Sequence, residues 1–378
     1  MLTRFIKNLK GVLHRLSVAT VLLMPGVASA EYGLNFQEPV TEVASEILEL
    51  HNLVLLIVTV ITIIVFGVMF WSILFHRKSS GRQASTFHDN SKLEVAWTII
   101  PFVILVGMAI PSTKTLLKMD DVSGSDMTLK ITGYQWKWKY DYPDQGISYF
   151  SNLSTPKDQI YNKAEKGEHY LLEVDNEVVL PVGKKVRILV TANDVIHSWW
   201  VPQLGTKKDA IPGYVNEMWT RIDKPGVYRG QCTELCGKDH GFMPIVVRAV
   251  SEEEFNKWAS LQKDKMVVAA ASAKKSWTKT DLMAQGKKVY DTSCASCHGA
   301  TGAGIPNVFP AMAGSKIATG DINAHINIVL NGKAGTAMAA YKGQMNDVDL
   351  AAVITYERNA FGNKTGDIVQ PADIKARR

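Results

Sequence analysis

Two clusters of soft, redox-capable side chains carry the chemistry of this chain. The first is Cys232, Glu234, Cys236, His240 and Met243 in one short stretch, with His197 upstream. The second is Cys294-Ala295-Ser296-Cys297-His298. The chain of 378 residues has only 4 cysteines, too few for a disulfide framework, so the close pairs point to ligation or covalent attachment. Thiolates and imidazoles joined by a thioether suit copper. Two sulfurs can bridge two metals, one imidazole can cap each, Met243 can add a weak bond at one, and a backbone carbonyl such as that of Glu234 can serve the other. Two readings compete. A closed zinc site of two Cys and two His leaves Met243 unused, and a single blue-copper centre needs one Cys.

The second cluster has the spacing of c-type haem attachment, in which two thiols add to the vinyl groups and His298 lies beneath the iron. A thioredoxin-like redox pair is the alternative, but no βαβ pattern surrounds it. The sixth ligand must come from downstream, from Met312, Met338 or Met345, and methionine raises the haem potential into an electron-transfer range.

Each cluster needs a scaffold. From 127 to 250, short alternating apolar runs between Gly and Pro predict strands at 129–142, 170–174, 185–190, 227–231 and 244–250, an all-β sandwich or barrel. Tyr134, Trp136, Trp138, Tyr140 and Tyr142 would share one strand face, with Lys137 and Lys139 on the other. A polar helix begins at 251, and an Ala-, Lys- and Ser-rich stretch at 267–275 reads as a linker.

The uncharged runs 52–75 and 95–113 are each long enough to cross a bilayer as a helix. Pro101 in the second is tolerable where neighbouring helices satisfy the freed carbonyl. The connecting stretch has Arg77, Lys78, Arg82 and Lys92 against Asp89 and Glu94, whereas 31–50 has five Glu and no Lys or Arg; the positive-inside rule puts the loop in the cytoplasm and everything after 113 outside. A buried helical hairpin of a soluble protein is the bland alternative. Residues 1–30 read as a secretory signal, with Arg4, Lys7, Lys10 and Arg15, an apolar core at 18–24 and Ala28-Ser29-Ala30 for cleavage; a first membrane anchor is the runner-up. The expected order is signal peptide 1–30, transmembrane hairpin 31–120, copper domain 125–250, helix and linker 251–280, haem domain 281–362 and tail 363–378. The net charge of +6 is locally mixed and demands no nucleic-acid partner.

Residues 31–250 resemble subunit II of cytochrome c oxidase. The resemblance rests on Tyr134-Gln135-Trp136-Lys137-Trp138, on His197-Ser198-Trp199-Trp200-Val201-Pro202 through Asp209-Ala210-Ile211-Pro212-Gly213, and on the 232–243 loop. It implies a cupredoxin-like domain behind a two-helix hairpin. It also implies a dinuclear copper centre held by His197, Cys232, the Glu234 carbonyl, Cys236, His240 and Met243. Trp136 matches the family's tryptophan through which electrons enter, against a plain core aromatic. The Glu234 side chain matches a ligand of a magnesium or manganese site shared with the catalytic subunit, against simple solvation. Glu94 matches an acidic residue at the mouth of a proton channel, against an ordinary interfacial carboxylate. Residues 281–362 resemble a small all-α class I cytochrome c, whose ligating Met precedes a terminal helix, here 347–359. Met338 fits that place, with Met345 second, although Ala339 stands where the family commonly has Pro.

These features imply an electron-transfer subunit of a respiratory terminal oxidase, multi-pass in the bacterial inner membrane with its domains on the outer face. Oxygen reduction falls to a haem–copper subunit I, since no membrane run here carries a His cluster. Further oxidase subunits and a donor, a cytochrome c or a quinol:cytochrome c reductase, are the implied partners. The alternatives are a copper-delivery or assembly protein without turnover, which has no need of covalent haem, and a nitrous-oxide-reductase-like copper module, which would need a multi-histidine domain and no hairpin. A quinol-oxidase subunit II should lack the copper ligands.

Overall fold

The structure is a computed structural model that describes residues 33, 35–81, 83, 86 and 88–378. The expected signal peptide and Arg82 lie outside the described residues. Helices α1 (Glu42–Phe75) and α2 (Ser91–Asp120) are both long and apolar enough to cross a membrane. Thr41 Oγ1 caps α1 by accepting from Ala44 N, and Asn90 Oδ1 caps α2 by accepting from Leu93 N. Both run beyond the uncharged stretches 52–75 and 95–113. At 34 residues α1 spans about 51 Å, well over the ~30 Å hydrocarbon core. The excess is held by charge pairing. Lys118 Nζ donates to Glu42 Oε1 at 2.5 Å and Glu46 Oε1 at 2.6 Å, joining the start of α1 to the end of α2. Trp219 Nε1 donates to the Lys118 carbonyl, fixing that end to the β-domain.

The β-domain has ten strands: β1 (Met127–Tyr134), β2 (Lys137–Tyr142), β3 (Ile147–Ser151), β4 (Val178–Pro181), β5 (Val186–Ala192), β6 (His197–Val201), β7 (Thr206–Ala210), β8 (Asn216–Thr220), β9 (Gly226–Cys232) and β10 (Pro244–Val250). They form two five-stranded sheets, β3-β2-β1-β5-β8 and β4-β10-β9-β6-β7. Their inner faces meet in a core of Leu129, Ile131, Trp138, Tyr140, Ile188, Trp199, Val201, Ile245 and Val247. The stretch 129–142 is not one strand. The chain turns at Gln135–Trp136, and Tyr134 pairs with Lys137 across the hairpin. Trp136 therefore leaves the face it was expected to share, and Lys137 is buried. The run 170–174 is turn and coil with a single bridge from Val174 to Leu153, because Leu171 adopts φ 61, a left-handed conformation that breaks a strand. The short helix α3 (Lys157–Ile160) precedes it.

Helix α4 (Glu252–Ser272) starts at a Ser251/Glu254 capping box and packs Trp258 on Tyr142 and Tyr149. It absorbs the first part of the expected linker, since Ala-rich sequence is a strong helix former. The last domain comprises α5 (Lys279–Ser293), α6 (Ala295–His298), α7 (Lys316–Thr319), α8 (Ile322–Asn331), α9 (Asp347–Asn359) and α10 (Pro371–Lys375). The crossing of α5 and α9 is close enough that a Cβ on Gly286 would lie 2.1 Å from the Ala352 carbonyl oxygen, so only glycine serves there. Residues 363–378 are no loose tail. Val369 and Ile374 are fully buried in the same core as Leu282 and Leu350, and Gln370 exchanges hydrogen bonds with the Trp277 backbone.

Candidate metal and haem centres

The first cluster assembles between strands of one sheet. Cys232 ends β9, Pro244 begins β10, and His197 opens the neighbouring β6. The ligand atoms of His197, Cys232 and Cys236 lie within 4.8 Å of one another, all buried. Cys236 Sγ is 3.9 Å from Cys232 Sγ, 3.5 Å from His240 Nδ1 and 3.5 Å from Met243 Sδ. Cys232 Sγ is 3.4 Å from the Glu234 carbonyl oxygen. All six expected donors thus converge. The sulfurs are too far apart for a disulfide, and both thiols are free. Gly133 leaves room for the imidazole: a Cβ there would sit 2.7 Å from His197 Cδ2.

The donor set fits a dinuclear copper centre better than one zinc ion. Two thiols, two imidazoles, a buried thioether and a carbonyl exceed the four donors of a closed tetrahedron. His197 Nδ1 is buried without a hydrogen-bond partner, while Nε2 is held by Asp194 Oδ1 at 2.8 Å. That leaves Nδ1 available to a metal and fixes the ring through a carboxylate, the usual outer support of a metal-bound histidine. Burial pulls the His197 pKa down, but the neighbouring Asp194 and Cys232 outweigh it and the net direction is up. The bond with Cys236 holds the Cys232 thiol far below its ordinary value, and the same contact pushes Cys236 up. Two thiolates at this distance need a cation between them.

Two residues that the expected donor set did not include, Asp194 and Gln135, complete the centre. Asp194 Oδ2 accepts from the Gln135 backbone N–H at 2.9 Å, and Gln135 Nε2 donates to the Cys236 carbonyl at 2.9 Å. Trp136 Nε1 donates to the same carbonyl at 3.3 Å, and Trp138 Nε1 to the Met243 carbonyl. The β1–β2 turn is therefore bonded to the loop. A carboxylate three residues before a ligand histidine was a signal available in the sequence; the role of Gln135 was not. The Glu234 side chain is exposed. Glu94 lies exposed in the first turn of α2, far along the chain from both clusters.

The second cluster borders a cavity of about 370 Å³. Cys294, Cys297 and His298 line it, together with Phe309, Pro310, Val329, Val353 and all three methionines, Met312, Met338 and Met345. His298 Nδ1 lies 2.8 Å from the Pro310 carbonyl, which fixes Nδ1 as the protonated nitrogen and leaves Nε2 for iron. A mostly apolar slot with two free thiols and an oriented imidazole fits a covalent haem. Met312 and Met345 pack against the core cluster, and Met338 stands outside it in the loop after α8. Sequence reasoning missed a buried pair in the same lining, His325 Nε2 and Glu357 Oε2, 2.9 Å apart.

Comparison with known proteins agrees with this geometry. Residues 127–250 match the family model "Cytochrome C oxidase subunit II, periplasmic domain" and 29–115 match "Cytochrome C oxidase subunit II, transmembrane domain". Residues 281–356 match "Cytochrome C oxidase, cbb3-type, subunit III". The probable cytochrome c oxidase subunit 2 of Rickettsia prowazekii is 45% identical over 231 residues, which is 61% of this chain and 72% of that one. Cytochrome c oxidase subunit 2 of Cereibacter sphaeroides is 38% identical over 239 residues, 60% of this chain and 79% of that one. Among solved structures, the periplasmic domain of subunit II of cytochrome oxidase of Bradyrhizobium japonicum is 46% identical, covering 38% of this chain and 98% of that chain at a TM-score of 0.35. The matched domains imply a dinuclear copper centre, haem c and a haem–copper subunit I as partner. The chain belongs to the cytochrome c oxidase subunit II family, the subunit through which electrons enter a haem–copper oxidase, and it carries a cytochrome c domain behind the subunit II domains.

Proposed function

We propose that His197, Cys232, the Glu234 carbonyl, Cys236, His240 and Met243 hold the two coppers, and that Cys294, Cys297, His298 and Met338 hold the haem. Bound there, the two groups supply one-electron storage at two stations, between an outside donor and the catalytic subunit that reduces oxygen to water. The observation that carries the reading is the position of Cys236, whose sulfur meets His240 and Met243 while its carbonyl accepts from Trp136. Trp136 is thus a half-buried aromatic ring bonded to the backbone of a ligand residue, and the role of letting electrons in falls to it. Rigid strands on either side of the loop keep the donors in place between oxidation states. Met338 takes the sixth position because Met312 and Met345 are already committed to packing.

The finer assignments follow the same logic. The exposed Glu234 carboxylate is a hard oxygen donor, free to complete a magnesium or manganese site with subunit I. Glu94, at the inner mouth of α2, is placed to sit at a proton-channel opening in that partner. The assembly lies in the bacterial inner membrane with further oxidase subunits, and its donor is a cytochrome c or a quinol:cytochrome c reductase. The decisive test is metal analysis with electron paramagnetic resonance on the purified oxidase. Two coppers sharing one unpaired electron give a multi-line signal. A zinc-filled or one-copper loop would overturn the reading.

A further inference from the structure

The copper and cytochrome domains meet along one seam, and the contacts across it share a pattern. Lys157 Nζ, from α3, donates to the Asp291 carbonyl at 2.9 Å. Lys238 Nζ, from the copper loop, donates to the Ser296 carbonyl at 2.5 Å. Asp291 lies in the last turn of α5, and Ser296 lies between the two haem-attachment cysteines. Late carbonyls of a helix have no partner within it and carry the negative end of its dipole, so an ammonium is their natural partner. Between these two points Lys137 is wedged against rings from both domains, its Nζ 4.9 Å from the Phe150 centroid and 5.7 Å from that of Tyr341. Tyr341 in turn donates its hydroxyl to the Ser293 carbonyl at 3.1 Å, joining the ring to the end of α5. Under this seam is a cavity of about 420 Å³, lined on one side by Gln135 and Trp136 and on the other by Ser293, Ala295, Ser296 and Tyr341.

We propose that Lys157 and Lys238 form a dock for the carboxyl ends of the haem-bearing helices and hold the cytochrome domain against the turn that carries Trp136. The lysines are positioning residues. Lys238 stands two residues after Cys236, so one side chain sets the spacing between a copper ligand and the segment that carries the haem. Trp136, the residue to which electron input falls under the reading above, is half-buried and lines the cavity beneath the seam. This inference rests on the assignment of haem and copper to the two domains.

The test uses the full oxidase carrying Lys157→Met and Lys238→Met together, beside Lys157→Arg with Lys238→Arg. Three readings are taken: amide hydrogen exchange over 288–300, the rate of electron passage from pre-reduced haem c to copper, and turnover with a soluble donor at low and high salt. In the methionine variant exchange in that segment should rise about tenfold or more, as expected for loss of charge-assisted hydrogen bonds. Internal passage should slow, and turnover should become sensitive to salt, with the haem and copper spectra unaltered. The arginine variant keeps cationic donors and should retain protection, which separates docking from folding. Exchange and internal passage equal to wild type in the methionine variant would overturn the dock. Absence of haem-to-copper passage in the wild type would instead overturn the assignment of the two stations.

Discussion

Asp194 joins His197 to the β1–β2 turn: Oδ1 holds the imidazole Nε2 at 2.8 Å while Oδ2 accepts the Gln135 backbone N–H at 2.9 Å. A single carboxylate thus sets both the ring that faces the thiols and the turn that carries Trp136. Asp194→Ala should lower copper affinity about 10- to 100-fold, the usual cost of removing the outer partner of a ligand histidine. Copper titration against a chelator competitor measures it, and unchanged affinity would remove Asp194 from this role.

Trp136→Phe keeps an aromatic ring in the turn but deletes the Nε1–H donated to the Cys236 carbonyl. The loop should lose about 1 kcal/mol of stability, the net worth of one hydrogen bond. Electron input to copper should slow with the copper spectrum retained, and Trp136→Ala should slow it further. Stopped-flow reduction distinguishes these outcomes; equal rates in all three proteins would return Trp136 to the status of a core aromatic.

Lys137 gives a pH signature. Burial lowers its pKa from 10.5 to about 8, and the carboxylates of Asp194 and Asp175 recover only part of that. The folded pKa lies below the unfolded one, so the cost of the buried charge is fully present below pH about 8. It is relieved as pH rises from about 8 to 10.5, where the folded protein releases the proton and the unfolded chain keeps it. Lys137→Met should stabilise the outer domains at pH 7 by at most about 3 kcal/mol. It should also flatten the rise in stability across that window. Denaturant midpoints at pH 7 and pH 10 decide the matter, and parallel curves for the two proteins would contradict it.

The three cavity methionines separate by spectrum and stability. Met338→Ala should abolish the methionine–iron absorption band and lower the haem potential. Met312→Ala and Met345→Ala should keep the band and cost about 2 kcal/mol each in stability of the cytochrome domain. Loss of the band in Met345→Ala with its survival in Met338→Ala would exchange the two roles.

The bulk of each cluster was legible because its members lie close in sequence, at 232–243 and 294–298; His197 comes in from a separate strand. The haem motif needed nothing from the rest of the fold, and the terminal helix Asp347–Asn359 followed from the resemblance to a class I cytochrome c. The break at Gln135–Trp136 was hidden for a physical reason: aromatics at 134, 136, 138, 140 and 142 keep a two-residue period straight through the turn. The burial of Lys137 depends on Tyr341, more than two hundred residues away, and no local pattern announces it. Asp194 shows the same limit, since its second partner is supplied by a strand pairing rather than by a neighbour in sequence. The end of the chain escaped because Val369 and Ile374 are too few to set a period, yet both are sealed inside.

Helix α4 and the short segment 273–278 are the covalent path between the copper domain and its cytochrome. A domain on such a tether meets its partner at an effective concentration on the order of millimolar, however dilute the oxidase is. The encounter thereby becomes first order, with a rate independent of how many free carriers surround the membrane. Scarcity of outside carriers then limits how often the cytochrome is recharged, while each charge it holds is delivered at the same pace.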